Sequence, residues 1–151
     1  MAGLISINKP HTDNIFSGEK GLEWRKIPLP EDLYYVYETK NKGGCGMVIG
    51  EMRITGSKAV DTNGPLEVCL VNAGCVHPVT LKKYANNGIV YANFIQNAVR
   101  YDEPKPLSAY GLKHKCSLSR KCMDQGFLCA GYCKLTRPPQ SWCHVEELQD
   151  G

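Results

Sequence analysis

Apolar and polar residues alternate with a period of two through much of this chain, as they do in strands with one buried face. Residues 4–8 set Ile5 and Ile7 against Ser6, a short strand. Residues 20–27 put Leu22 and Trp24 on one side and Glu23 and Arg25 on the other, until Pro28 and Pro30 end the run. Residues 33–39 are rich in Tyr and Val, strong strand formers. Residues 47–55 alternate again, and Gly50 interrupts them as a bulge or a point of close backbone approach. Residues 89–101 read as a long strand with polar breaks at Asn93, Gln96 and Asn97, stopped by Pro104 and Pro106. Gly43-Gly44 and residues 61–65, which contain Asn63-Gly64, mark turns.

Two short helices fit between these strands. Pro10 suits a first helical position, Ile15 and Phe16 supply a buried side, and Gly18 is a natural residue just past the end. A second helix fits residues 78–86, ended by Asn87-Gly88. Residues 66–71 are too few for a period to separate strand from helix. In residues 140–148, Trp142 and Val145 are placed to close the core. The pattern predicts an α+β, mainly β domain or a small β-barrel with short flanking helices.

Composition narrows the class. The chain has 151 residues, 42% hydrophobic and 22% charged, which predicts one folded domain over residues 1–151. No apolar run reaches the 18 or so residues of a membrane helix, and the first residues lack the basic and apolar regions of a signal peptide. The expected setting is soluble and cytoplasmic, with no membrane partner.

The net charge of +3 is unevenly spread. Residues 113–137 hold Lys113, Lys115, Arg120, Lys121, Lys134 and Arg137 against Asp124 alone, a net of +5, and the remainder carries −2. Such a segment suits a polyanion, and equally a solvated loop. Four of the eight cysteines, Cys116, Cys122, Cys129 and Cys133, lie there too. Four thiolates in this span suit a structural zinc ion, although the paired Cys-x2-Cys knuckles of many zinc sites are absent. The competing reading is free thiols in a basic loop. Cys45, Cys69 and Cys75 read as small buried hydrophobes, and in Cys143-His144 the cysteine is the one expected to point inward.

The segment Gly18-Glu19-Lys20-Gly21-Leu22-Glu23-Trp24-Arg25 contains Gly-x-Lys-x-x-Glu-x-Arg. It resembles the signature of the ASCH domain family, whose members have a PUA-like β-barrel. Three further stretches resemble the family in order and kind. Leu4-Ile5-Ser6-Ile7-Asn8-Lys9-Pro10 is similar to its opening strand. Tyr35-Val36-Tyr37-Glu38-Thr39 with Val48-Ile49-Gly50-Glu51 is similar to its paired barrel strands. Lys105-Pro106-Leu107 and then Arg137-Pro138-Pro139-Gln140-Ser141-Trp142 are similar to the close of its prokaryotic members. The resemblance leaves out about 113–136, so that residues 113–137 read as a basic, Cys-rich insertion.

Alternation puts Glu23 and Arg25 on one strand face, with Lys20 near its start and Trp24 on the opposite, core side. An arginine fork suits a phosphate or a carbonyl edge, and a carboxylate accepts from a base amino group. The same residues would also make an ordinary cross-strand charge network. Lys9 stands before the first helix, where an anion is favoured. Gln140 and Ser141 are carried to the same cleft by the resemblance. Tyr34, Tyr35 and Tyr37 are candidates for base stacking, although alternation sends at least one set into the core.

The resemblance implies a module that binds RNA or a modified nucleotide. It also implies an alternative, since some small members are amidohydrolases of N4-acylated cytidine and others are described as ribonucleases. In the amidohydrolase members a Lys at the place of Lys20 acts with a Thr at the place of Glu23 and a downstream Glu. Here a carboxylate replaces that hydroxyl, which leaves Lys20 and Glu23 as the catalytic candidates only if Glu23 serves as a base toward water.

Overall fold

A computed structural model describes residues 2–113 and 132–148. Eight strands form one mixed sheet: β1 (Ala2–Ile7), β2 (Leu22–Arg25), β3 (Asp32–Glu38), β4 (Met47–Asp61), β5 (Ile89–Lys105), β6 (Tyr110–Lys113), β7 (Tyr132–Lys134) and β8 (Trp142–Glu147). Their order is β2-β5-β4-β3-β1-β8-β6-β7, so β2 and β7 are edges. The α+β, mainly β expectation holds, but among the described residues backbone pairing does not close the sheet into a barrel. β2 spans only four residues before the Pro28 and Pro30 region, and its free edge carries no second ladder. A side chain ties that edge to the end of an inner strand. Arg25 of β2 donates to the carbonyl of Ser6 on β1 at 2.9 Å.

Three helices pack on this sheet: α1 (His11–Ser17), α2 (Val68–Gly74) and α3 (Pro78–Tyr84). Gly18 ends α1 in the left-handed conformation its position predicts. The ambiguous 66–71 stretch belongs to the approach and first turns of α2. Leu66, Leu70 and Ala73 follow a helical spacing and pack against Leu22, Trp24 and Leu81. β5 continues to Lys105 despite Pro104, because the β4–β5 register slips between Val48 and Gly50 and spares that proline a ladder bond.

The alternation of β1 and β3 sorts the core. Ile5, Ile7, Tyr34 and Val36 pack with Ile15 and Phe16 of α1, while Leu4, Tyr35 and Tyr37 pack on the other face with Tyr110 and Val145. All three candidate stacking tyrosines are therefore buried. Gly50 sits where the β3–β4 and β4–β5 registers both shift, and a Cβ there would fall 2.6 Å from the Phe16 ring. The bulge lets α1 approach the sheet.

The ends of the basic segment are ordered by pairing: Gly111 faces Lys134 and Leu112 faces Cys133 across β6 and β7. Cys116, Cys122 and Cys129 lie outside the described residues, while Cys133 is half-buried. Three cysteines differ from expectation. Cys45 and Cys69 are exposed and Cys75 is half-buried, because they fall in a loop, on the outer side of α2 and at its end. Cys143 does pack on the core and His144 is exposed. Among the described residues, no helix is long and apolar enough to cross a membrane.

Candidate functional site

The Gly18–Arg25 segment is held at four points. Lys20 N–H donates to the Asn14 carbonyl of α1 at 2.9 Å, and Gly21 N–H donates to Ala73 of α2 at 2.8 Å. Ile95 N–H of β5 returns a bond to the Gly21 carbonyl, 2.9 Å away. Glu23 then faces Asn93 of β5, whose amide donates to the Glu23 carbonyl at 3.1 Å. Asn93 is fully buried, and its side-chain oxygen also accepts from Leu29 N–H at 2.8 Å. The polar break that interrupts the β5 pattern is thus a backbone anchor for Glu23.

Between the β2 edge and the end of β1 lies a cleft of about 680 Å³. Glu23 and Arg25 line it, as their shared strand face predicts. Ser6, Asn8 and His11 form a second wall, Thr39 and Asn41 a third, and Pro138, Pro139 and Gln140 a fourth. Val76, Leu81 and the buried edge of Trp24 give it an apolar side. Gln140 reaches the cleft directly. Ser141 acts through Arg25, whose second nitrogen donates to the Ser141 hydroxyl at 3.2 Å. Lys9 lies outside the lining and pairs with Asp13 at 3.4 Å and Glu38 at 3.9 Å.

Lys20, expected in the cleft, is 2% exposed and is not among the lining residues; its ammonium donates to the Gly74 carbonyl. Burial pushes that ammonium below the usual lysine range; the charges of Glu23 and Cys75 oppose the fall and Arg25 adds to it. His11 is lowered from the ordinary 6.5, first by burial and then by Lys20, with Glu23 opposing. The cleft therefore presents a neutral imidazole at neutral pH. Glu23 is 7% exposed. Its Oε2 and the Nδ1 of His11 are both buried and unpartnered among the described residues. Two unpaired polar atoms on one cleft are an arrangement that a bound polar molecule relieves.

His11, Asn8, Thr39 and Asn41 escaped the sequence reading. Each lies just beyond a strand end, and only the sheet's curl brings them opposite β2. The local signal for His11 was its place immediately after the strand-ending Asn8-Lys9-Pro10 stretch. Among the described residues, no group of three or more His, Cys, Asp or Glu is gathered as a metal ion requires.

No family model matches the chain, and no curated protein does either. Solved structures do. The chain is similar to the crystal structure of ASCH from Zymomonas mobilis, with a TM-score of 0.62 and 19% identity over 94% of this chain and 85% of that one. Two mutants of that protein match at TM-scores of 0.63 and 0.61, each at 18% identity over 94% of this chain and 86% and 88% of theirs. At this identity the likeness concerns architecture, and the Gly-x-Lys-x-x-Glu-x-Arg segment agrees with it: this chain has the ASCH fold.

Proposed function

We propose that the cleft binds a nucleotide, with the base seated against Glu23 and His11, and that the physiological carrier of that nucleotide is RNA. One observation carries this reading: the buried, unpartnered Oε2 of Glu23 and Nδ1 of His11 line the same cleft. The cleft's volume lies within the roughly 300–1,000 Å³ of small-molecule sites. Its apolar side, with Trp24 and Leu81, suits a planar ring, and its polar side suits a base edge. An exocyclic amino group brings two N–H donors to the two unpartnered atoms, Glu23 Oε2 and His11 Nδ1, whereas uracil brings only its ring N–H, so bases that offer an amino group are favoured over uracil.

The exposed Lys134 and Arg137 flank the cleft's Pro138–Gln140 wall in sequence and supply charge for phosphates. The test is titration of AMP, CMP, GMP and UMP, and of short RNAs, at low and moderate salt. Micromolar to millimolar binding that weakens in Glu23→Gln and with rising salt is expected. Absence of binding at low salt sinks the proposal.

A hydrolytic reading rests on a different observation. Lys20 is a buried amine with a depressed pKa beside Glu23, a pairing suited to proton transfer in a dry site. Glu23 would take a proton from water attacking an N4-acylcytidine amide or assist cleavage of RNA. Turnover of N4-acetylcytidine or RNA, lost in Lys20→Ala, supports it. No turnover of either substrate removes it.

A further inference from the structure

The rim of the cleft holds groups that the base-binding reading leaves unused. Tyr84 closes α3, lines the cleft and is 41% exposed. It is the aromatic that the buried Tyr34, Tyr35 and Tyr37 are not. The ammonium of Lys26 stands 5.0 Å from its ring centroid, and Lys26 is itself exposed. The ring is therefore partly open to solvent and lies beside an exposed cation.

Two further cations neighbour lining residues in sequence, and the charge of Lys42 is felt by the lining residue His11. Lys42 follows the lining residue Asn41, and Arg137 precedes the lining residue Pro138. Both are exposed. Among the described residues, none of Lys26, Lys42 and Arg137 has a carboxylate partner, whereas Lys9, Lys58, Arg100 and Lys105 each do. Unpaired cations beside lining residues, together with an exposed aromatic ring in the lining, complement a chain of phosphates carrying flat bases.

We infer that the cleft reads a nucleotide within a single strand of RNA: one base enters, its neighbour stacks on Tyr84, and Lys26, Lys42 and Arg137 hold the flanking phosphates. This inference rests on the nucleotide reading of the cleft and adds the strand. On binding, the neighbouring base takes the solvent-facing side of the Tyr84 ring, and the Lys26 ammonium moves from the ring to the adjoining phosphate. The ligand is then an internal nucleotide, and a free mononucleotide leaves the rim empty.

The experiment compares 5′-AMP, CMP and UMP with r(A)5, r(C)5 and r(U)5 in one buffer. A stacked base adds roughly 5–150-fold in affinity. For the preferred base, the pentamer should bind about twentyfold or more tighter than the mononucleotide, beyond the roughly fivefold that five binding registers give. Tyr84→Ala should lower that ratio by about fivefold or more, the share of one stacked base, and Tyr84→Phe should keep it. Lys26→Gln should lower the slope of log affinity against log salt by about one. Thermal melting of each variant confirms the fold. If mononucleotides bind and the wild-type ratio is about fivefold or less, the strand inference is overturned and the cleft reading stands. If neither mononucleotide nor pentamer binds, both fall. A ratio unchanged in Tyr84→Ala also overturns the inference.

Discussion

Lys20 donates its buried ammonium to the carbonyl of Gly74, 54 residues further along the chain. The bond joins the segment before β2 to the last residue of α2, which lies against the Trp24 indole. Gly74 is hemmed in from the other side. A Cβ there would lie 2.0 Å from Trp24 Nε1 and 2.9 Å from Leu22 Cδ1. Only the absence of a side chain lets α2 come close enough for its end to receive the lysine.

Gly74→Ala should therefore be costly at a position where glycine's conformational freedom is not the reason. Overpacking of this kind costs about 1–3 kcal/mol, and here the indole and the backbone must part. The same change at Gly64, where a Cβ meets nothing within 4 Å, should alter stability by less than about 0.5 kcal/mol. Urea denaturation of both variants checks the contrast. Equal effects would show that Gly74 is not a packing point.

Lys20 and Glu23 sense each other electrostatically, so their substitutions should not add. Lys20→Met leaves the Gly74 carbonyl without its donor and removes a cation that interacts with Glu23. Glu23→Gln removes the charge that favours the Lys20 ammonium. The double variant should be less destabilised than the sum of the two, by about 0.5–3 kcal/mol. A double-mutant cycle measured by denaturation gives the coupling, and additivity within about 0.3 kcal/mol would mean that the two side chains act independently.

Much of this arrangement was legible in the sequence, and the remainder has identifiable causes. Period-two alternation put Glu23 and Arg25 on one face and Leu22 and Trp24 on the other because side-chain direction in a strand is a local property. Gly18 and Gly50 were readable for the same reason, since one ends a helix and the other disturbs a ladder. The failures lie where distance along the chain matters. The tyrosines of β3 look like a stacking surface until Ile15 and Phe16 of α1 cover one face of that strand and Tyr110, Leu135 and Val145 cover the other. His11 acquires its role only when the curled sheet brings the end of β1 opposite β2. Barrel closure was expected from the resemblance, but whether two edges meet depends on strand length and curl, which no single strand's pattern encodes; among the described residues Arg25 ties the β2 edge to the end of β1, an inner strand, and not to the other edge.

Arg25 should resist even conservative replacement. Its two nitrogens reach the Ser6 carbonyl of β1 at 2.9 Å and the Ser141 hydroxyl before β8 at 3.2 Å. A lysine ammonium lacks the planar fork that spans both. Arg25→Lys should lose about 0.5–1.5 kcal/mol, the worth of one ordinary hydrogen bond. It should also weaken nucleotide binding, because the wall formed by Pro138–Gln140 loses its tie to β2. Calorimetric titration with the preferred nucleotide, beside a denaturation curve, separates the two effects. Stability and affinity both unchanged would remove Arg25 from the cleft's frame.

The imidazole of His11 reports on the whole cluster, and the sign of each effect is fixed by its neighbours. Burial and Lys20 lower its pKa from 6.5, and Glu23 opposes them. Glu23→Gln should consequently lower it further, while Lys20→Met should raise it; following the imidazole Cε1–H by NMR across pH measures both. Stability follows by linkage. Because the folded value lies below the unfolded one, the unfolded chain binds the extra proton first as pH falls through 6.5. His11's contribution is complete above that value, declines as pH drops toward the folded pKa, and is level below it. Wild-type protein should thus lose more stability between pH 7.5 and 5.5 than His11→Gln. Parallel pH profiles would place the imidazole in water rather than in the wall of the cleft. A bound amino-bearing base that donates to the unpartnered Nδ1 should hold the ring neutral to still lower pH, and the same NMR titration with nucleotide present reads that shift.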